Sequence, residues 1–191
     1  MGNVQRLIIG ISGASGTIYG LRLLETLHKL RVETHLVMTK TAEEVAKIEN
    51  RVSIGEVKRL ATYCYNINDL TAPIASGDFQ SEGMVIAPCS MKTLAGVANG
   101  YSQNLLLRAA DVTLKEGRRL VLVPREAPLN SIHLENMLKL ARIGVTILPA
   151  MPAFYHKPKS IDDLVNHIVG KILDVFGIAH QLYKRWGVEK L

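Results

Sequence analysis

The apolar run Leu7-Ile8-Ile9 passes directly into Gly10-Ile11-Ser12-Gly13-Ala14-Ser15-Gly16 and then into an amphipathic stretch that begins at Ile18. A buried strand that feeds a glycine- and serine-rich turn at the head of a helix leaves a nest of backbone N–H groups flanked by hydroxyls, where a phosphate can bind. This junction commits the segment up to Leu30 to a strand-turn-helix unit. As a dinucleotide fingerprint it is degraded, because Ser12 stands where the second glycine of GxGxxG admits a pyrophosphate. It is also not a G-x-S-x-G nucleophile elbow. A single phosphate with serine donors fits it better, and a glycine-rich connection serving only strand–helix packing is the plainer alternative.

The same alternation continues along the chain. Residues 6–11, 34–38, 83–87, 119–123 and 145–148 read as strands, and residues 18–30, 41–49, 92–101, 103–115 and 131–143 as helices. The strand runs lack polar alternation, as strands covered on both faces do. This pattern predicts a three-layer α/β/α fold, a doubly wound parallel sheet of Rossmann-like type, whose ligand sits beyond the carboxyl ends of the strands. A C-terminal helix opens at Ser160-Ile161-Asp162-Asp163, with Ser160 as cap and Asp163 at the third position, and runs towards Phe176. This C-terminal helix, spanning about 160–186, is expected to contribute to oligomer contacts.

With 191 residues, 48% hydrophobic and 21% charged, the chain suffices for one core, so residues 1–191 are expected to form one domain. A formal charge of +6 favours anionic partners, while 5% aromatic content without a basic cluster argues against a nucleic-acid surface. Phosphorylated small molecules remain. Only Cys64 and Cys89 are present, which gives no disulfide framework and no metal-ligand spacing, and implies a reduced, cytoplasmic setting. Neither a signal peptide nor a membrane span is expected.

Each strand end carries its own chemistry. After the second strand, Thr39-Lys40-Thr41 offers hydroxyls and a cation, with Thr41 read as the helix cap and Thr39 as the ligand contact. Pro88-Cys89-Ser90-Met91-Lys92-Thr93 is a second donor-rich turn, and two such turns can flank a planar phosphorylated ligand. Cys89 reads as structural, since no histidine is near it in sequence. Pro124-Arg125-Glu126 is either a site element or a solvated ion pair. Arg108 and Lys115, two turns apart on one helix face, are placed to reach one anion. The proline-rigid stretch from Pro149 to Pro158 suits a wall over an apolar ligand, or simple surface packing of Phe154 and Tyr155.

Taken together, Gly10–Gly16, Pro88–Thr93, Pro124–Glu126 and Pro152–Pro158 resemble the UbiX-type flavin prenyltransferases over essentially the whole chain. The resemblance implies a Rossmann-like flavoprotein of the homo-oligomeric FMN-binding class, usually a dodecamer. It further implies metal-free transfer of a dimethylallyl group from dimethylallyl monophosphate to N5 and C6 of reduced FMN, the prenylated FMN then serving a UbiD-type decarboxylase. On this resemblance Gly13, Ala14, Ser15, Thr39, Ser90, Met91, Lys92, Thr93 and Arg125 bind FMN. Arg108, Lys115, Tyr155 and Lys171 bind the prenyl phosphate, with Glu49 beside them in the pocket. Ser15, Glu126 and Glu49 are the catalytic candidates, Ser15 and Glu126 as proton-relay groups. Lys171 stands where some relatives have arginine, which keeps charge but not bidentate recognition. The competing readings are an FMN-binding aromatic-acid decarboxylase, a non-catalytic flavin carrier, and a cysteine decarboxylase, whose catalytic histidine has no counterpart at either donor-rich turn.

Overall fold

The computed structural model describes residues 5–187. Strands β1 (Arg6–Ile11), β2 (Glu33–Met38), β3 (Tyr63–Tyr65), β4 (Gly83–Cys89), β5 (Arg119–Pro124) and β6 (Thr146–Ile147) form one parallel sheet in the order β3-β2-β1-β4-β5-β6. The order reverses between β1 and β4. That seam is the topological switch point, where an open α/β sheet leaves a crevice beyond its strand ends.

The continuous apolar runs feed two cores at once, because successive side chains of a strand point to opposite faces. Ile9, Ile11, Val85, Ala87, Val121 and Val123 pack into one layer with α1 (Thr17–Lys29) and α7 (Ile161–Val175), joined at its margin by α2 (Lys40–Asn50) and α3 (Ile54–Leu60). Ile8, Met84, Ile86, Leu120 and Leu122 pack into the other with α4 (Met91–Ala98), α5 (Leu105–Lys115) and Leu140 of α6 (Ser131–Arg142). Where α1 crosses the seam, Gly20 lets the helix approach the strand: a Cβ there would lie 2.3 Å from the Ala87 carbonyl oxygen.

Three departures from the sequence expectation have physical causes. The edge strand β3 is the short run Tyr-Cys-Tyr, with Tyr63 and Cys64 exposed, so it has no apolar run to betray it. Helix α3 is seven residues long and is announced only by its capping box, Ser53 and Glu56. Helix α7 keeps the expected Ser160–Asp163 capping box but stops at Val175 and does not continue to 186. Gly177, with φ 67, turns the chain, and the segment 178–187 folds back over the helix. Gly170 makes room for this strap, since a Cβ on it would lie 2.5 Å from the Tyr183 ring. Among the described residues no helix is long and apolar enough to cross a membrane.

Candidate active site

The two donor-rich turns meet at the β1–β4 seam and are sewn together by Ser12. Its hydroxyl, fully buried, donates to the Pro88 carbonyl at 3.0 Å and accepts the Ser90 N–H at 2.8 Å. The substitution of serine for glycine in the fingerprint is thereby explained: Ser12 is a staple between the two turns, its proton committed to the Pro88 carbonyl. Gly13 cannot carry a side chain, because a Cβ would fall 2.6 Å from Thr41. Ala14 is buried beside it, which leaves Ser15 as the exposed hydroxyl of the turn.

The second turn caps its own helix. Ser90 Oγ accepts the Thr93 N–H at 3.3 Å and donates to Thr93 Oγ1 at 3.1 Å, with Met91 and Thr93 buried and Lys92 exposed at the helix entrance. At the end of β2 the cap is Thr39 and not Thr41: Thr39 Oγ1 accepts the Ala42 N–H at 3.1 Å, and Thr41 lies inside α2 over Gly13. The Thr39 hydroxyl proton remains for a ligand.

Helix α1 has no side-chain cap of its own, since its N-cap is Gly16 at φ 96. Glu49 supplies one from α2. Its carboxylate accepts the Gly16 N–H at 2.9 Å, the Thr17 N–H at 3.1 Å and the Thr17 hydroxyl at 3.0 Å, with the Ser15 hydroxyl a further donor. Burial works against its charge, but these donors outweigh burial and hold the carboxyl below its ordinary value. The partner of Ser15 is thus Glu49. Glu126 follows Arg125, whose guanidinium reaches the Ser15 carbonyl, and is exposed, its carboxylate accepting the Ala127 N–H at 3.1 Å.

Arg125 closes the cradle from β5. Its Nε donates to the Ser15 carbonyl at 3.1 Å, and its backbone N–H bonds the Cys89 carbonyl at 3.3 Å. Cys89 itself is fully buried and burial pushes its thiol far up, so it packs and does not react. The ladder continues outward, since the Ala150 N–H bonds the Pro124 carbonyl at 3.3 Å and brings the 150–158 stretch against the end of β5.

The part of that stretch from Tyr155 onward walls a basic cavity, while Phe154 stands exposed outside its lining. Tyr155, His156, Lys157 and Lys159 line a cavity of about 600 Å³ with Lys184, Arg185, Trp186 and Gly187 of the strap. Tyr155 and Trp186 meet edge to face at 5.4 Å. The strap hangs on Asp174, which accepts from the Tyr183 hydroxyl at 2.7 Å and from Arg185 at 2.5 Å, contacts His180 at 3.1 Å, and has Lys171 at 4.0 Å. Burial raises the Asp174 carboxyl, yet Arg185, Tyr183 and His180 bring it down to about 2. Trp186 is absent from the expected site residues because a helix through 186 would carry it away from Tyr155, and His167 because a buried histidine on a helix face has no local signal.

Arg108 and Lys115 do not join this group within one chain. They sit on α5, in the layer across the sheet from α7, where Arg108 donates to the Ala75 carbonyl at 3.2 Å and pairs with Asp111 at 2.8 Å. Lys115 pairs with Glu116. The expectation that both converge on one anion with Tyr155 and Lys171 is not met inside a single copy.

A sequence profile of the family described as Flavoprotein matches residues 1–173. The flavin prenyltransferase UbiX of Methanocaldococcus jannaschii is 50% identical over 183 residues, which is 96% of this chain and 99% of that protein. A dodecameric FMN-dependent UbiX-like decarboxylase from Escherichia coli O157:H7 superposes with a TM-score of 0.94 at 51% identity, over 95% of this chain and 99% of that one. AnUbiX (PadA1), solved in complex with FMN and dimethylallyl pyrophosphate, superposes with a TM-score of 0.95 at 48% identity, over 97% of this chain and 98% of that one. With identity of this order across nearly its whole length, joined to two donor-rich turns at the switch point, the chain belongs to the UbiX-type flavin prenyltransferases of the flavoprotein family.

Proposed function

We propose that this protein transfers a dimethylallyl group from dimethylallyl monophosphate to reduced FMN, without a metal, forming bonds at flavin N5 and C6. The observation that carries the reading is the pairing of two places suited to anions: the cradle at the β1–β4 seam and the basic, aromatic-walled cavity built by Tyr155 and the strap. A flavin carrier needs only the first. The cradle fits FMN because Gly13 bars any side chain, Ser15 and Lys92 are exposed, and Arg125 faces the turn. Gly13, Ala14, Ser15, Thr39, Ser90, Met91, Lys92, Thr93 and Arg125 would hold it. Bound in reduced form, FMN supplies the nucleophilic ring that accepts the allyl group.

The chain's own residues handle the other half of the reaction. Breaking an allylic C–O bond leaves an allyl cation and a departing phosphate, so Lys171, with Arg108 and Lys115, stabilises the leaving group while the Tyr155 ring shields the cation. Lys171 does so as a point charge. Glu126 moves protons at the leaving phosphate, and Ser15, held by Glu49, relays them. Because Arg108 and Lys115 lie across the sheet, a neighbouring copy supplies them, and the working state is a homo-oligomer, a dodecamer as in the Escherichia coli relative. The product then serves a UbiD-type decarboxylase.

Anaerobic incubation with reduced FMN and dimethylallyl monophosphate, followed by mass spectrometry of the released flavin, tests the reading. The flavin mass should rise by one dimethylallyl group less a proton. An unchanged mass in protein that binds FMN overturns the reading. Incubation with an aromatic acid alone, without a partner enzyme, should release no CO₂.

A further inference from the structure

We infer that His167 is a positioning residue, which fixes the direction of the Tyr155 hydroxyl so that its proton is donated into the cavity. The inference rests on the proposed role of Tyr155 at the prenyl phosphate. His167, on α7, is 6% exposed and lies beneath the wall. Its two ring nitrogens hold two points of one loop: Nδ1 accepts the Ala153 N–H at 3.4 Å, and Nε2 faces the Tyr155 hydroxyl at 3.4 Å. A backbone N–H can only donate. A neutral imidazole whose Nδ1 accepts must carry its proton on Nε2, and Nε2–H then donates to the Tyr155 oxygen. With its oxygen occupied as acceptor, the phenol directs its own proton elsewhere, and Tyr155 lines the 600 Å³ cavity with Lys157, Lys159 and Arg185. A phosphate oxygen among these cations is the acceptor such a donor fits.

The surroundings of His167 keep it neutral, as this geometry requires. Burial lowers its basicity, and the His156 ring, stacked on it at 5.1 Å and 4°, and Lys171 lower it further, against an opposing Asp174. The Tyr183 ring of the strap covers it at 4.8 Å. These groups come from the loop, from α7 and from the strap.

The tautomer is read directly by ¹⁵N spectroscopy of histidine-labelled protein at neutral pH. His167 should be protonated at Nε2 alone, and protonation at Nδ1 overturns the inference whether or not flavin is prenylated. A double-mutant cycle on protein loaded with oxidised FMN, which cannot turn over, reads the coupling as affinity for dimethylallyl monophosphate. His167→Phe should weaken binding about fivefold, the size of one hydrogen bond. In the Tyr155→Phe background it should cost nothing further, because the hydroxyl it orients is gone. His167→Gln, which keeps a donor, should recover part of the loss. Equal losses in both backgrounds mark His167 as packing and overturn the inference. Wild-type protein that shows the tautomer and the coupling yet yields no prenylated flavin would sink the transfer reading alone.

Discussion

The seam and the wall of the candidate site are held by different physics. At the β1–β4 seam the contacts are neutral and dry: Ser12 is fully buried between two backbone groups, and Gly20 presses α1 against the Ala87 carbonyl. At the wall the contacts are titratable: Asp174 holds Tyr183, His180 and Arg185, and His167 holds the 153–155 loop. Neutral bonds in a dry interior are insensitive to pH and salt, whereas half-exposed ion pairs are each worth at most about 1 kcal/mol and are screened. The cradle is therefore built as a rigid fixture. The cavity beside it is enclosed by parts that acid can release without unfolding the sheet.

The largest effect should follow from disturbing the seam at Gly20. In Gly20→Ala the new methyl meets the Ala87 oxygen at 2.3 Å and the Ile11 side chain at 2.8 Å, and a strand carbonyl cannot step aside without moving β4. Overpacking of this kind costs about 1–3 kcal/mol, or roughly 3–10 °C in thermal midpoint for a chain of this size. An unchanged midpoint would show that α1 has freedom the seam is argued to lack. Ser12→Ala should come next, at about 1–3 kcal/mol, because the Ser90 N–H loses its acceptor in a dry site. This loss should be the same at pH 5 and pH 8, and a pH-dependent loss would erase the distinction between seam and wall.

The sequence exposed the seam far better than the wall. Strand ends, the two turns and the Ser160–Asp163 cap were legible because each rests on local spacing: apolar runs, glycines and a capping pair. The role of Ser12 was not, since its partners are 76 and 78 residues away. The strap was hidden for a similar reason: only Asp174 reaching residues 180–185 reveals why the chain turns at Gly177. The cap of α2 falls on Thr39 and not on Thr41, because hydroxyls lie on both sides of Lys40 and local spacing does not choose between them. The separation of Arg108 from Tyr155 depends on which layer each helix joins, and helix spacing alone does not specify that.

A smaller effect is expected at Asp174, because it belongs to the wall. Asp174→Asn should free the strap and leave the sheet intact, so the thermal midpoint should move by only about 1–3 °C, as for a half-exposed ion network. Trp186, the one tryptophan, reports this through its fluorescence. In the unaltered protein the Asp174 carboxyl sits at about 2, below its ordinary 3.8. A depressed carboxyl contributes fully above the ordinary value and loses its contribution as pH falls through the folded one. Trp186 emission should therefore change between about pH 4 and pH 2, and the transition should vanish in Asp174→Asn. Loss of helical signal at the same pH would mean that seam and wall come apart together.

The smallest effect should come from Glu49, the carboxylate that reaches the first turn from α2. Its carboxylate caps α1 from another helix, so Glu49→Gln keeps one acceptor oxygen for the Gly16 and Thr17 donors, gives up the second, and removes the attraction between a full charge and the helix N-terminus, about 0.3–1 kcal/mol at an exposed site. Its carboxyl is held below the ordinary 4.5, so the difference between the two proteins should be present at pH 7, begin to shrink as pH falls below about 4.5, where the unfolded chain takes up the proton, and be lost as pH falls through the lower value of the folded carboxyl. Thermal midpoints of both proteins measured from pH 7 down to pH 3 decide this. A difference that persists to pH 3 would show that Glu49 acts through shape and not charge, and would make the α1 cap as insensitive to pH as the Ser12 staple beneath it.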